Sequence, residues 1–441
     1  MAMVVKNNMS AVNTLNTMTK NNSALGKSIQ KLSSGMKING AADDVAGYAI
    51  SEKMRVQIRS LDQANQNAQN GTSLMKVAEG AVSSTVEILK TLKEKVINSA
   101  NDTNTTADRQ MIQDELNQAV DQINDNASVT FNGKLLVDGS MNKKVTATTN
   151  TYVNEALSTA TTATTNLTAL TDRNGNSLDI KDTDEVTVSF IKNGKTETTT
   201  FSAKDAKLED IFKNANSVST GAFNATLGAD SKIGLSGQSV QLYSADGKSV
   251  ISVKAGDSGV TNGISGFSIS VKDTFGNVRK SINDKLGAWS ESVRAENASN
   301  DNALNLQIGT KSNQSINVGI SDMRAMALGL QGADTLTNTA KTINVTTVDN
   351  ANAAINVIDN AIQRALNEQT KLGSVQSRLS YTSDNLTTSS ENVQAAESTI
   401  RDVDMAKEMT NFTKNNILLQ ASQSMLAQAN QSTQGVLSLL Q

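Results

Sequence analysis

Residues 32–50 read LSSGMKINGAADDVAGYAI, and this stretch decides where one helical run ends and the next begins. Its Ser-Ser-Gly triplet allows a sharp change of backbone direction. Two adjacent aspartates follow, and acidic side chains at a helix start accept backbone N–H groups and complement the helix dipole. A second break is predicted at residues 401–404 (RDVD), where the apolar pattern changes phase. The predicted inter-domain joint residues are Ser33, Ser34, Gly35, Asp43, Asp44, Arg401, Asp402 and Asp404.

The composition contains no proline, the strongest helix breaker, and lacks the side chains most often used in catalysis. The chain has 441 residues and contains no Pro, no Cys and no His. Average usage of about 5% would give roughly 22 prolines, so their absence favours long helices, which an interior proline would break. Without His the commonest acid–base side chain near neutral pH is missing, and without Cys there is no disulfide or thiolate site. We therefore expect no enzyme activity and no cofactor.

Charge and hydropathy argue against a nucleic-acid-binding protein and against a membrane-inserted protein. The net charge is −3 with a pI near 5.4, which gives no basic field for nucleic acid. No run of 18 apolar residues occurs, so we expect no membrane insertion, and the N-terminus lacks the apolar core of a cleaved signal peptide. Residues 1–42 carry five lysines and no acid, whereas residues 415–441 carry no charge. Uncharged helices with apolar spacing need partners on several sides.

Two ladders of apolar residues, each spaced by seven, predict two long helices. Their mixed interleaved positions favour a small helical bundle with one dominant seam over a free two-stranded coiled coil. The first ladder is Met54, Leu61, Ala68, Met75, Val82, Leu89 and Val96. The second ladder is Ile358, Ala365, Leu372, Leu379, Leu386, Val393 and Ile400.

Shorter patterns complete the predicted fold. A third helix is predicted at 106–127, and 141–297 turns to a β pattern with hairpin turns at Asn193-Gly194 and Asp246-Gly247, as one or two inserted domains. A return hairpin is predicted over 304–320, then a helical turn at 321–326. The fold class is thus mainly α with an inserted β-rich region: long antiparallel helices from both chain ends form a rod-like bundle, with β-hairpins and an outward-projecting antiparallel β domain.

The acidic pairs at the joints have two possible roles. Asp43-Asp44 could form a metal-binding or catalytic carboxylate pair, but helix capping is favoured. Asp402 and Asp404 could hold a hard cation, yet without further convergent carboxylates ion pairing is favoured, within the joint or with a neighbouring subunit. The Ser and Thr of the insert are polar turn and strand residues that could also carry O-linked sugars.

Five motifs in order resemble the bacterial flagellins. The resemblance covers about 140 residues at each end of the chain and leaves the middle uncovered. The motifs are LSSGMKINGAADDVAGYAI (32–50), QNAQNGTSLMKVAEGA (66–81), TFNGKLL (130–136), AAESTIRDVDMAKEM (395–409) and LAQANQSTQGVLSLLQ (426–441).

The resemblance implies a layered subunit of a hollow filament. An N-terminal inner-core helix (1–40) and a C-terminal one (401–441) form the inner layer. The two halves of a rod domain (41–140 and 298–400) form the next layer, and the variable β-rich region (141–297) lies outermost. The implied inner-core contacts between subunits are Val12, Leu15, Leu25, Ile29, Leu32, Met405, Phe412, Leu419, Leu426, Val436, Leu437 and Leu440.

The resemblance also implies partners and a location. The expected partners are other copies of the chain, an export chaperone on the C-terminal segment, and the flagellar cap and hook-associated proteins. The expected location is the extracellular filament, reached by type III export without a cleaved signal peptide. Flagellins present an Arg, a Leu and a Glu to a Toll-like receptor. The aligned positions are Thr91, Lys95 and Glu115, so two of the three differ and weak receptor activation is predicted.

Two alternatives remain open at this point. A hook–filament junction protein or another adhesive appendage protein shares related ends. A hydrolase within the insert would need clustered carboxylates or a nucleophile with a base, which the absence of His disfavours.

Overall fold

The computed structural model describes residues 8–158, 160–162, 164–218, 251–255, 258–260, 263–333 and 340–438. Its α-helices are α1 Met9–Ser34, α2 Val45–Ser99, α3 Thr106–Ala127, α4 Leu208–Val218, α5 Lys280–Leu286, α6 Ala325–Leu328, α7 Val348–Arg401 and α8 Met405–Ser438. Its strands are β1 Thr130–Phe131, β2 Lys134–Leu135, β3 Thr151–Asn154, β4 Glu185–Lys192, β5 Lys195–Ser202, β6 Ile251–Lys254, β7 Ile264–Lys272, β8 Trp289–Val293, β9 Leu304–Gln307, β10 Ser315–Val318, β11 Gln331–Ala333 and β12 Ala340–Thr342. A 3₁₀ turn covers Leu167–Ala169.

The long helices confirm the ladder predictions. Helix α2 has 55 residues and α7 has 54, and no proline interrupts either one. Six of the seven residues of the first ladder are buried, from Leu61 to Val96. The second ladder is buried from Ile358 to Leu379 but only half-buried beyond it. The apolar seam of α7 therefore weakens toward the C-terminal end of the helix.

Helix α3 begins and ends where the sequence predicts. A capping box fixes its start, because Thr105 accepts the Asp108 backbone N–H and Asp108 accepts the Thr105 N–H. The Thr105 hydroxyl, which donates to the Asp108 carboxylate at 2.7 Å, and the Thr105 backbone N–H lower the pKa of the Asp108 carboxyl. The buried face of α3 is Ile112, Gln113, Leu116, Val120, Ile123 and Ala127.

The insert has two antiparallel three-stranded sheets, with strand orders β6-β3-β8 and β5-β4-β7. The β4–β5 turn is Asn193-Gly194, both with positive φ, which confirms the predicted hairpin. One hydrophobic cluster joins the sheets: Phe212, Phe267 and Trp289 have ring centroids 5.6 to 6.1 Å apart. Within the described residues the sheets thus share one core, and the Asp246-Gly247 turn lies outside those residues.

The insert packs directly on α7. Gly266 of β7 lies so close that a Cβ there would stand 2.8 Å from the Ala353 carbonyl oxygen. Asn356 of α7 donates to the Phe267 carbonyl at 3.2 Å. Arg364 of α7 forms a bidentate ion pair with Glu291 of β8 at 2.5 Å, and both side chains are nearly buried.

The return hairpin is confirmed as β9 and β10. The helical turn that follows it is α6, Ala325–Leu328, so the predicted position at 321–326 is wrong by a few residues. The cause is Asp322, whose carboxylate accepts the backbone and side-chain N–H groups of Arg324 and keeps that segment out of a helix.

The chain forms two compact units. One contains residues 1–69, 307–314 and 381–441, and the other contains 70–306 and 315–380. Helices α2 and α7 contribute residues to both units. The five-part division expected from the sequence stays a prediction.

Candidate assembly interface

Helices α1 and α8 pack against each other as an antiparallel pair. The buried and half-buried positions recur at spacings of three and four residues, which is the pattern of a coiled-coil seam. On α1 they include Ala11, Thr14, Met18, Asn21, Leu25, Ser28 and Leu32. On α8 they include Glu408, Phe412, Asn415, Leu419, Ser422, Leu426 and Ala429.

Two polar layers cross this seam. Asn21 donates to the Ser422 hydroxyl at 2.9 Å, and Asn415 donates to the Ser28 hydroxyl at 3.4 Å. The two layers are seven residues apart on both helices, which is one heptad. Polar pairs at seam positions fix register at a cost in stability, so the pairing of α1 with α8 is specific and weakly apolar.

Large apolar side chains remain exposed outside this seam. These side chains are about 40 to 60% exposed. Many exposed apolar side chains on one pair of helices indicate a protein–protein contact surface. The set is Met9, Val12, Leu15 and Ile29 on α1, and Met405, Met409, Ile417, Leu418 and Met425 on α8. Each terminal helix therefore has a seam face and uncovered apolar side chains outside that seam.

The predicted inner-core residues fall into three groups. Val12, Leu15, Ile29 and Met405 are among the exposed apolar side chains. Those on the seam within one chain are Leu25, Leu32, Phe412, Leu419 and Leu426. Val436 and Leu437 lie in α8, but the structure does not describe their side chains. Leu440 lies outside the described residues.

The two predicted joints lie against each other. Helix α1 ends at Ser34, two residues beyond Leu32, and Gly35 caps it in the left-handed conformation at φ 70°. The Lys37 N–H donates to the Arg401 carbonyl at 2.6 Å, and the Val403 N–H donates to the Gly35 carbonyl at 3.0 Å. The joints thus form a short antiparallel bridge between segments that are about 365 positions apart.

The aspartates of the joints have different roles. Asp44 caps α2 by accepting the Ala46 and Gly47 N–H groups, as predicted. Asp43 instead closes the turn before the helix by accepting the Asn39 N–H at 3.1 Å. Asp404 caps α8, and Asp402 accepts the Ser398 hydroxyl. Among the described residues, neither of these last two aspartates takes part in the expected ion pairing at the joint.

Arg401 connects the joint to α2. Its side chain is 7% exposed and donates to Glu52 at 2.7 Å, to Ser51 at 3.4 Å and to the Met36 sulfur at 3.2 Å. The guanidinium also lies 5.5 Å from the centre of the Tyr48 ring. The hydrogen bond from Arg401 lowers the pKa of the Glu52 carboxyl, and Arg55 adds to the effect. We call this set the Arg401 clasp.

The remaining joint serines make local contacts. Ser34 accepts the Met36 N–H at 3.2 Å, which shapes the first residue of the break. Ser33 is exposed at the last turn of α1. Arg401 was predicted as a joint residue from the sequence, but Glu52, Ser51 and Tyr48 were not, because nothing in their local pattern separates them from solvent-facing helix residues.

The predicted receptor-binding positions lie together on α2 and α3. Lys95 forms an ion pair with Glu115 at 2.9 Å across the two helices. Thr91, one helical turn before Lys95, is exposed and donates to the carbonyl of Glu87 in its own helix.

In the part of the chain that the structure describes, no three His, Cys, Asp or Glu side chains lie together as metal ligands would. Among the described helices, none combines the length and apolar character needed to cross a membrane. The polar and apolar contacts of the terminal helices and joints are thus the features that a function must explain.

Comparison with known proteins defines the class. Residues 5–142 match the bacterial flagellin N-terminal helical region, and residues 355–440 match the bacterial flagellin C-terminal helical region. The two matched regions include the terminal helices α1 and α8 and both joints. The protein belongs to the bacterial flagellin family.

Individual relatives match along the whole chain. A flagellin of Clostridium tyrobutyricum is 36% identical over 98% of this chain and all of its own length. A flagellin of Bacillus subtilis (strain 168) is 34% identical over 99% of this chain and all of its own length. The solved structure of FliC from Burkholderia pseudomallei covers 70% of this chain and 99% of its own, at 16% identity and a TM-score of 0.28.

Proposed function

We propose that this chain is the structural subunit that polymerises into the hollow helical filament of the bacterial flagellum and so serves motility. The observation that carries the proposal is the set of nine uncovered apolar side chains on the two terminal helices. Burying a large apolar side chain contributes about 1.5–3 kcal/mol. Completing the burial of nine half-exposed side chains could supply on the order of 10 kcal/mol before the cost of ordering them.

The interface residues follow from this proposal. Neighbouring copies cover Val12, Leu15, Ile29 and Met405, while the seam residues hold α1 to α8 within each copy. Assembly is then coupled to ordering of the terminal helices, since a weakly apolar seam gives the isolated pair little stability of its own. A head-to-tail contact that does not close into a ring generates a helical filament.

The proposal also includes the route and place of assembly. The chain leaves the cell unfolded by the flagellar export route, without a cleaved signal peptide, and acts outside the cell. Its partners before and during assembly are an export chaperone on the C-terminal segment and the cap and hook-associated proteins. The absence of Pro and Cys supports this route, because neither proline isomerisation nor a disulfide delays refolding at the assembly site.

Negative-stain microscopy of the purified, concentrated protein tests the assignment. A filament subunit gives long, uniform filaments above a critical concentration. The alternative of a junction or adhesive appendage protein gives discrete particles at the same concentration, and that result would overturn the proposal.

We further propose that this chain activates a Toll-like receptor weakly. The Lys95 ammonium is engaged by Glu115, and Thr91 is too short to replace a guanidinium. A reporter-cell dose response would check this, with a strong flagellin agonist as the reference. A response equal to that of the reference would contradict the proposal.

A further inference from the structure

Helix α1 has a stripe of positive charge without acidic neighbours on the same helix. Lys20, Lys27 and Lys31 are the only charged residues of α1. At 100° per residue they lie within about 40° of one another around the helix axis. We call these three residues the lysine stripe.

The lysine stripe is distinct from the other two faces of α1. It lies about 125° around the helix from the seam with α8, and the exposed Val12, Leu15 and Ile29 lie on the opposite flank. Among the described residues, none of the three ammonium groups lies within ion-pair distance of a carboxylate. Three like charges on one face, with Lys20 and Lys27 exposed and Lys31 half-buried, indicate a partner of opposite charge outside the helix pair.

The last part of α7 has the opposite character. Residues 381–400 contain Asp384, Glu391 and Glu397 but no Lys or Arg. Asp384 and Glu391 are exposed, and Glu397 is half-buried. None of the three forms an ion pair with a described residue. We call residues 381–400 the acidic segment.

The spacing of the two sets is complementary. Lys20 and Lys27 are seven residues apart, as are Asp384 and Glu391. Both separations equal about 10.5 Å along a helix axis. Two helices lying side by side can therefore bring both pairs of opposite charges together at once, in either relative direction.

We propose that the lysine stripe of one copy docks against the acidic segment of a second copy. The proposal rests on the proposed function, because it names a contact within the polymer. Exposed ion pairs add little affinity, but like charges brought together at an interface repel strongly. The contact therefore selects the register between copies, while the apolar faces of α1 and α8 supply most of the affinity.

Charge reversal in two separate chains tests the contact. Lys20→Glu with Lys27→Glu makes the stripe acidic, and Asp384→Lys with Glu391→Lys makes the segment basic. We expect each variant alone to raise the critical concentration for polymerisation by about tenfold or more, because like charges then face each other. An equal mixture of the two variants should polymerise near the wild-type concentration, since each stripe can then meet an oppositely charged segment.

Sedimentation at increasing protein concentration measures the effect, and circular dichroism checks that helical content is kept. A matched control carries Lys204→Glu with Lys280→Glu, two exposed lysines of the insert outside both charged sets. The control has the same change in net charge as the variant of the lysine stripe, and it should polymerise like the wild type. Added salt should partly restore the two single-set variants, because the Debye length falls to about 3 Å at 1 M.

Three results would overturn the proposal. If Lys20→Glu with Lys27→Glu polymerises like the wild type, the stripe makes no contact between copies. If one chain carrying all four substitutions polymerises but the mixture does not, the charges pair within one chain. If the control is as defective as the test variants, net charge and not position is responsible. Failure of the wild-type chain to polymerise would instead refute the proposed function, and this contact with it.

Discussion

At the scale of single residues, the Arg401 clasp shows how one buried side chain can hold two distant segments. The guanidinium takes its only described carboxylate partner from α2, while its backbone pairs with the first joint. The sequence predicted both joints, the first from the Ser-Ser-Gly triplet followed by two aspartates and the second from the change of phase in the apolar pattern. It could not predict the partner, because Glu52 and Arg401 are 349 positions apart and Glu52 lies in an ordinary charged helix turn.

The clasp should respond unequally to loss of its two partners. In Glu52→Ala the buried guanidinium of Arg401 is left without a carboxylate, which is the costly case. In Arg401→Met the new side chain keeps apolar contact with Tyr48, and Glu52 keeps Arg55 at 3.1 Å. We expect limited proteolysis at residues 35–44 to be several times faster in Glu52→Ala than in Arg401→Met. Equal rates would contradict this account, and Arg55→Gln is the control that should cleave at the wild-type rate.

The clasp should also be lost in acid. Because the folded state lowers the pKa of Glu52, its contribution to stability is fully present above the unfolded value of about 4.3. The contribution is lost as the pH falls below that value and through the folded pKa. Proteolysis of the wild-type joint should therefore accelerate between about pH 4.5 and 3, and an acid protease can measure it. Arg401→Met should show little added acceleration over that range.

At the scale of elements, helices were the most predictable feature. The ladders, the apolar spacing of residues 106–127 and the Asn193-Gly194 turn are local signals, and each predicted its element correctly. The polar layers of the α1–α8 seam were not predicted. Asn21 and Ser422 are residues that ordinarily face solvent, and only the antiparallel pairing of the two helices brings them together.

The tie between α7 and the insert was likewise beyond sequence reasoning, and it gives a test of element packing. Arg364→Met leaves Glu291 buried without its cation, and breaking such a pair costs about 3–5 kcal/mol. Trp289 is the only tryptophan and lies two residues from Glu291, so its fluorescence reports unfolding of this region by urea. Glu291→Leu added to Arg364→Met should recover part of the loss. An unchanged midpoint in Arg364→Met would contradict the described packing.

At the scale of the whole molecule, apolar burial is uneven. The insert and the adjoining parts of α2 and α7 bury their large side chains within the chain, whereas α1 and α8 leave nine of theirs about half exposed. Folding of a single chain accounts for the buried side chains of the insert, α2 and α7, but it leaves the nine side chains of α1 and α8 uncovered. The account's central claim is that copies of the chain complete the burial on α1 and α8, so the ends should be needed for polymerisation and not for folding of the rest.

Deletion of residues 422–441 tests this claim most directly. The deletion removes the Asn21–Ser422 layer and the last turns of the seam, but none of the side chains of the insert core. We predict that the shortened chain keeps the wild-type unfolding midpoint reported by Trp289 and forms no sedimentable polymer at any concentration at which the full chain does. Filaments formed by the shortened chain at the wild-type critical concentration would contradict the account.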